Sequence, residues 1–336
     1  MIYDKEIIVL IFAVVILILP CFSGCLNDEH CVTILDSEKS FKTISEAITQ
    51  AEEGDTILVD PGVYHESLVI KKSVILKGKD RDKTIISGYG TDDLIYIVAD
   101  NVTIIGFTIS NSGNNSNTEE DAGIDIRSEH NTIKNVNFSQ NSNYGIYMYK
   151  AHNNGIENCI FLDNVEGGVF SLYCNENIFQ NNTLINNTIG LYLKYNYNTS
   201  ISDNTISSHS LNGIYLYDSE YNMIDGNIFT ENNRGIHVKG SKHNTIKENL
   251  FINNERGLYL CCGGENNLIY QNVFMKNDEH AYGYPINQFD NGTVGNYWDD
   301  YNGTDEDGDG IGDTSYNATT GNYGVRSKDR YPLMSP

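Results

Sequence analysis

A chain of 336 residues can hold two ordinary domains or one long repetitive one, so length leaves the domain count open. Its 45 acidic residues outweigh 22 Lys and Arg, and the resulting formal charge of −23 sets nucleic acid aside, because binding a phosphate backbone needs clustered cations. Thirty Gly and 23 Tyr beside 5 Pro and one Trp speak for tight corners and β-favouring aromatic surface, and against helix bundles.

The chain opens with a targeting segment. Ile7 to Leu19 is an unbroken apolar run of 13 residues, the length of a signal-peptide core and short of the ~20 that span a bilayer. Phe22-Ser23-Gly24-Cys25 follows, small residues before a cysteine in the manner of a lipobox, the processing signal that leaves Cys25 as a lipid-bearing N-terminus. One feature departs from that pattern: Asp4 and Glu6 outnumber Lys5, whereas signal peptides usually start basic. Residues 1–25 are read as a signal and lipobox segment, with an uncleaved membrane anchor or plain secretion as alternatives. Each reading puts the body outside the cytoplasm, on a cell surface or in a periplasm-like space. Beyond it stand Cys31, Cys159, Cys174, Cys261 and Cys262, with no paired C-x-x-C metal framework and an odd number that forbids complete internal pairing. Cys159 and Cys174 are expected as small buried side chains, with a disulfide between them as the alternative.

Residues 26–52 read as a linker and a short helix. Ile44, Ala47, Ile48 and Ala51 fall on one helical face, which suits a cap over an open stack end. Strand-like runs follow at Ser67–Lys77, Lys83–Ser87 and Asn101–Ile109.

The repeat, expected over 53–290, then becomes plain. A Gly column runs through Gly123, Gly145, Gly168, Gly190, Gly213, Gly235 and Gly257 at spacings of 22 or 23. An Asn column runs through Asn135, Asn158, Asn181, Asn204, Asn227, Asn249 and Asn272 at the same spacings. Each unit is a set of short alternating strands with polar corners, such as Gly213–Tyr217, Asn222–Ile224 and Asn227–Phe229, and no helical i, i+3, i+4 pattern appears within it. Three strands and three corners at ~3.3 Å per residue close one triangular coil, and successive coils stack ~4.8 Å apart around a shared core. The architecture predicted is an all-β, right-handed parallel β-helix with a short N-terminal capping helix. Gly would mark corners needing positive φ or close approach. Asn would both tolerate the left-handed conformation and bond its copies up and down the stack.

On these residues the chain resembles known families. Phe41 to Glu66 is similar to the start of the pectin-lyase-like superfamily of β-helices, where a short amphipathic helix caps the first coil. The Asn-rich repeats together with Gly295-Asn296-Tyr297-Trp298-Asp299-Asp300-Tyr301 resemble, more narrowly, the NosD-like family, over about residues 41–336. That resemblance implies a periplasmic copper-binding β-helix, with many archaeal relatives at the cell surface. Copper needs soft or imidazole ligands clustered in space, and His237, His243, Cys261 and Cys262 form the one constellation of that kind. His237, Cys261 and Cys262 are its candidate ligands.

The acidic tail, 291–336, carries a sharper ligand pattern. In Asp305-Glu306-Asp307-Gly308-Asp309-Gly310-Ile311-Gly312-Asp313, carboxylates at positions 1, 3, 5 and 9 with Gly at 6 match the oxygen-rich loop that wraps Ca²⁺. Asp305, Asp307, Asp309, Asp313 and the Ile311 carbonyl are the candidate ligands. Tyr316 stands at position 12, normally a bidentate Glu, so Asp299, Asp300 or Asp329 is expected to complete the sphere. A solvated acidic linker is the competing reading.

Two residues after each Gly stand Asp125, Tyr147, Phe170, Tyr192, Tyr215, His237 and Tyr259, an outward stripe by alternation, although the register at Gly167-Gly168 is ambiguous by one. Tyr147, Phe170, Tyr192, Tyr215 and Tyr259 would offer ring faces to a sugar chain; rings that merely stabilise the coil are the alternative. Catalytic signatures of the lyases and epimerases built on such coils, a paired Asp-Asp, Gly-His-Gly or Asp-Pro-His on a mid-helix strand, are missing from the repeats between Gly123 and Gly257. Sequons at Asn101, Asn114, Asn137, Asn181, Asn186, Asn198, Asn291, Asn302 and Asn317 permit glycosylation. The function expected is a monomeric, membrane-anchored surface protein that binds a polysaccharide or cell-envelope partner along its side, without nucleic acid and without catalysis. A copper-binding NosD-type protein and a polysaccharide lyase or epimerase are the alternatives.

Overall fold

A computed structural model describes residues 31–90, 92–113, 121–283, 286–320 and 327–336. The targeting segment and Cys25 lie outside the described residues. Three sheets form the body, a first of 12 strands, a second of 11 and a third of 10; from Thr56–Val59 to Glu279–Gly283 they are parallel and each successive strand of the chain passes to the next sheet. Corresponding strands of successive coils pair in unbroken register, as in Ile201↔Ile224↔Ile246 and Phe229↔Phe251↔Phe274. The chain is a right-handed parallel β-helix. Ile214, Leu216, Ile224 and Phe229 are all fully buried, so one apolar column runs along the axis.

At the N-terminal end the strand Val32–Ile34 pairs antiparallel with Lys39–Phe41 and with Thr56–Val59. The helix Ile44–Gln50 covers the first coil, burying Ile44, Ala47 and Ile48. Thr43 caps it by accepting from the Glu46 amide at 3.1 Å. Glu66, on the first coil, takes the Ile44 and Ser45 amides at 2.9 Å each, so a carboxylate sits at the helix N-terminus and ties it down.

The Asn column read from spacing joins two positions that differ by one residue. Asn135, Asn158 and Asn181 lie outside, in the left-handed conformation at φ 52° to 54°; the column continues there through Asp203, Gly226, Glu248 and Gln271. Asn204, Asn227, Asn249 and Asn272 are the buried residues one step later, continued upstream by Asn182 and downstream by Asn296. The two jobs assigned to one Asn are thus divided between neighbours: one turns the corner, the next satisfies it. Asn227 Oδ1 accepts from the Asn204 amide at 2.9 Å and from Asn204 Nδ2 at 2.8 Å. Its own Nδ2 donates to Ile201 O at 2.8 Å and to Asn249 Oδ1 at 3.0 Å. Two further ladders line other corners, one through Asn222, Asn244, Asn267 and Asn287, the other through Asn232, Asn254 and Asn277. Each Asn donates toward the next coil, so the amides of a ladder all point one way. Cys159 and Cys174 occupy ladder-type places as free, buried thiols, Cys174 Sγ accepting from the Ala151 amide at 3.4 Å. Burial pushes the Cys159 thiol up to about 12. His209 also replaces an Asn: burial holds it down near 4, and the neutral ring accepts from the Asn187 amide at 3.2 Å.

Of the two needs expected of the Gly column, the structure shows close approach and not positive φ, on strands rather than at corners. Gly123 through Gly257 have no positive φ and lie at the start of the third-sheet strands. A Cβ on Gly213 would lie 2.6 Å from Gly235 O and 3.1 Å from the Phe229 ring. Close approach of neighbouring coils, and room for the core rings of the second sheet, dictate the residue. Those rings stack: Phe229–Phe251 and Phe251–Phe274 at 4.8 Å, Phe274–Trp298 at 4.4 Å.

Asn227→Leu should cost about 1–3 kcal/mol, since it strips the Asn204 amide of its acceptor and Ile201 O of a donor in the core. Asn158→Gly, at an exposed left-handed corner, should stay within about 0.5 kcal/mol. Urea melts of the two variants check the division; equal losses would sink it.

Candidate functional site

The third sheet has the longest strands, six residues each from Tyr144–Tyr149 to Arg256–Cys261, so its face carries the most side chains per coil. Alternation sends Ile214 and Leu216 inward and leaves Tyr215 between them outward. In pairing register stand Asp125, Tyr147, Phe170, Tyr192, Tyr215, His237, Tyr259 and also Tyr282, and the ambiguity at Gly167-Gly168 resolves to Gly168. Phe170–Tyr192, Tyr192–Tyr215 and Tyr215–His237 stack at 4.6, 4.8 and 4.5 Å within 15° of parallel. At both ends the rings turn edge-on: Tyr147–Phe170 at 69° and His237–Tyr259 at 61°. The stripe is only half outward. Asp125, Tyr147 and His237 are buried, while Phe170, Tyr192, Tyr215 and Tyr259 are half-buried. Burial pushes the Tyr192 hydroxyl up to about 12 and Tyr215 further.

A second ring column, Tyr149, Tyr173, Tyr195 and Tyr217, flanks the first and escaped the sequence reading. It stands four residues after the Gly at Tyr149 and Tyr217 but five after it at Tyr173 and Tyr195, the latter two at left-handed corners. Tyr173–Tyr195 stack at 4.8 Å, and Tyr215–Tyr217 meet edge-on at 6.1 Å, so the columns form one aromatic face. Cations lie on it, with Arg127 5.0 Å from the Tyr147 and Tyr149 ring centres and Arg256 5.3 Å from that of Tyr259.

At the C-terminal end of this face His237 Nε2 lies 3.3 Å from Cys261 Sγ. Cys262 is exposed at the corner, and both cysteines are free. His243 is elsewhere, stacked on Tyr221 at 5.2 Å. In the tail, Asp305, Asp307 and Asp309 turn their carboxylates together. Asp305 Oδ1 accepts the Gly308 amide at 2.8 Å and Asp309 Oδ1 the Ile311 amide at 2.8 Å. Asp313 turns aside to the Thr304 hydroxyl and the Glu306 amide.

The residues expected to complete that loop are engaged otherwise. Asp329 is fully buried against the last coil, its Oδ2 accepting from the Asn296 amide at 2.7 Å and from Trp298 Nε1 at 2.9 Å. Asp299 and Asp300 face His280, at 2.9 and 3.5 Å from its Nε2.

The sequence profile of a family described as periplasmic copper-binding protein (NosD) matches residues 80–256 and 230–303, most of the chain. The chain belongs to the NosD family. Within 114 residues this NosD-family chain is 35% identical to a cell surface glycoprotein of Methanothermus fervidus, covering 33% of its own length and 18% of that protein's. Among solved structures, ORF18 of Geobacillus virus E2 matches 72% of this chain and 54% of its own, at TM-score 0.55 and 17% identity. An alginate lyase of a Paenibacillus species matches 76% of this chain and 94% of its own, at TM-score 0.51 and 14% identity. At those identities the likeness is one of fold.

The NosD family's copper prompts a test of the donors present. Reduced copper takes thiolate and imidazole. His237 fits: burial keeps it down near 3 and hence neutral, and its buried Nδ1 has no partner. Cys261 fits less well, because burial and the neighbouring Cys262 push its thiol up to about 12. Among the described residues, the groups of three whose ligand atoms meet are His280–Asp299–Asp300 and Asp305–Asp307–Asp309, both carboxylate-rich and suited to hard cations. In the first group the ladder decides the tautomer. Asn277 Oδ1 is taken by Asn254, so Asn277 Nδ2 faces His280 Nδ1 and leaves Nε2 to donate to Asp299. Among the described residues, His237 with Cys261 is a soft-donor pair, 3.3 Å from nitrogen to sulfur.

One titratable group was invisible in the sequence. Asp93, beside the head of the ring stripe, is pushed up to about 7 by burial and by the charges of Asp125 and Asp121, despite accepting the Ala122 amide at 2.7 Å. The folded state therefore keeps a proton between about pH 4 and 7 that the unfolded chain releases, and stability falls as pH rises through that window. Asp93→Asn, which can still accept from Ala122, should flatten the decline and gain about 1–2 kcal/mol at pH 8 relative to pH 4. Melts across pH check this; parallel curves for the two proteins would refute it.

Proposed function

We propose that this NosD-family chain is an extracytoplasmic surface protein that holds a polysaccharide or other envelope component along its third sheet, without catalysis. The observation that carries the reading is the near-parallel ring run Phe170–Tyr192–Tyr215, 4.6 to 4.8 Å from ring to ring, on the longest face of the coil. Half-buried rings keep fixed faces, so a sugar chain meets a surface that needs no ordering on binding. The kinship with a cell surface glycoprotein supports the location. Residues 1–25, with Cys25 as lipid attachment, would tether a monomeric body of coil and acidic tail. Polysaccharide lyase or epimerase chemistry is the enzymatic alternative, supported by the fold shared with an alginate lyase. Its place would be the carboxylates Asp93, Asp121 and Asp125 at the head of the stripe. On the binding reading, a glycan array should return a polysaccharide ligand, and Tyr192→Ala or Tyr215→Ala should weaken it about fivefold each while the protein stays folded. Shortening of the bound chain over time would favour the enzyme instead, and an array with no hits would remove the reading.

Two metals belong to the same proposal. Ca²⁺ would order the tail through Asp305, Asp307 and Asp309, whose carboxylates already converge, with the Ile311 carbonyl and Asp313 closing in on loading. Copper, at His237 and Cys261 with Cys262 at hand, is the second reading of the chain's role, favoured by the 3.3 Å approach of nitrogen and sulfur. Metal analysis and calorimetry separate them. The expected result is Ca²⁺ uptake that Asp307→Ala and Asp309→Ala abolish. Uptake unaffected by those changes would dismiss the loop, and copper retained until Cys261→Ser would promote the second reading.

A further inference from the structure

The cations of this acidic chain are distributed unevenly with respect to their partners. Along the other faces they meet carboxylates: Lys134 with Glu157 at 3.0 Å, Lys247 with Asp225 at 3.1 Å, and the pairs Lys79–Asp60 and Lys242–Glu265. On the aromatic face the middle cations meet rings instead. Lys194 Nζ lies 5.3 Å from the Tyr217 ring centre and Lys239 Nζ 4.9 Å from the same ring on the opposite side, while the Arg234 guanidinium lies 4.7 Å from that of Tyr259. None of the three has a carboxylate partner among the described residues, and Asp218, at the adjoining corner, forms no ion pair with either lysine. Arg234 touches Asn212 Oδ1 at 3.5 Å, and its Nε has no partner.

In a chain of net charge −23, cations held over rings and left without counter-charges make a positive strip in a negative field. The strip lies along the coil axis. Lys194 and Lys239 are two coils apart, about 10 Å at the spacing of stacked strands. Ring faces fill the interval, at 4.8 Å for Tyr192–Tyr215 and 4.5 Å for Tyr215–His237. An occupant that satisfies both sets is a chain with apolar faces at short intervals and single negative charges at longer ones. A nucleic acid, with a phosphate every ~1.7 Å of duplex axis, carries too much charge for three cations and is repelled by the rest of the surface.

Resting on the polysaccharide reading above, we infer that the ligand of this face is an acidic glycan, carboxylated or sulfated, lying parallel to the coil axis from Tyr173 to Tyr259. The rings take the apolar faces of the sugars, and Lys194, Lys239 and Arg234 take their acid groups. The test uses the mature chain with three probes: polygalacturonate oligomers, dextran sulfate and neutral dextran. One acidic probe at least should bind, more weakly as salt rises, and the better one tells carboxylate from sulfate. Lys194→Gln with Lys239→Gln should weaken it at least tenfold at unchanged melting temperature. The paired Lys→Arg changes should retain it, and Asp218→Asn should tighten it. Dextran bound as well as the acidic probes, with the Gln pair unaffected, overturns the acidic class and leaves the polysaccharide reading intact. Failure of both acidic probes overturns the acidic class, and the glycan array then decides the polysaccharide reading separately.

Discussion

The structure depends on one requirement: a corner that turns into a sealed core must find partners for its backbone polar groups where water does not reach. Each coil meets it with a buried amide side chain that accepts the backbone N–H of the coil before it and donates to carbonyls that would otherwise be orphaned. The repeat length follows from this. A coil must bring the same corner back over its predecessor, so spacing is 22 or 23 residues through the central coils, with steps of 20 from Asn267 to Asn287 and 24 from Asn272 to Asn296 near the C-terminal end. Strict register then keeps the outward columns straight.

That straightness links fold to function. A ring stripe without gaps or sideways drift exists because Asn204, Asn227 and Asn249 hold successive coils in line on the far side of the core. The rings stack at the coil spacing with no contact of their own choosing. Any glycan that lies on them is reading the backbone repeat through side chains, and the cations beside Tyr217 and Tyr259 add charge to that reading.

The period, the inward alternation, the capping helix and the principal ring stripe were all legible in the chain, because each is a pattern of spacing. The inner Asn could not be told from the outer one by spacing, since left-handed corners and ladders favour the same residue and sit side by side. The Tyr149–Tyr217 column shifts between four and five residues after Gly, which blurs it. The state of Asp93 and the embrace of Asp329 by Trp298 arise from residues 28 to 32 and 31 positions away, and no local pattern announces them. The charge pattern was visible only as a total until the coil sorted cations by face.

The common direction of the ladder amides makes the two ends of the body chemically unlike. The far end always presents donors, and it is closed by acceptors: Asp329 beneath Asn296, and the His280 ring beneath Asn277. Both lids depend only on the coil they touch. Duplication of a whole turn anywhere between them would lengthen the body by one step and lengthen the ring stripe with it, leaving each terminus as it was. A change of a few residues within a coil leaves the ladders in register, since 20, 24 and 29 positions separate Asn267 from Asn287, Asn272 from Asn296 and Val102 from Asn131. Body length would thus change in whole turns, the step at which one coil stacks on the next.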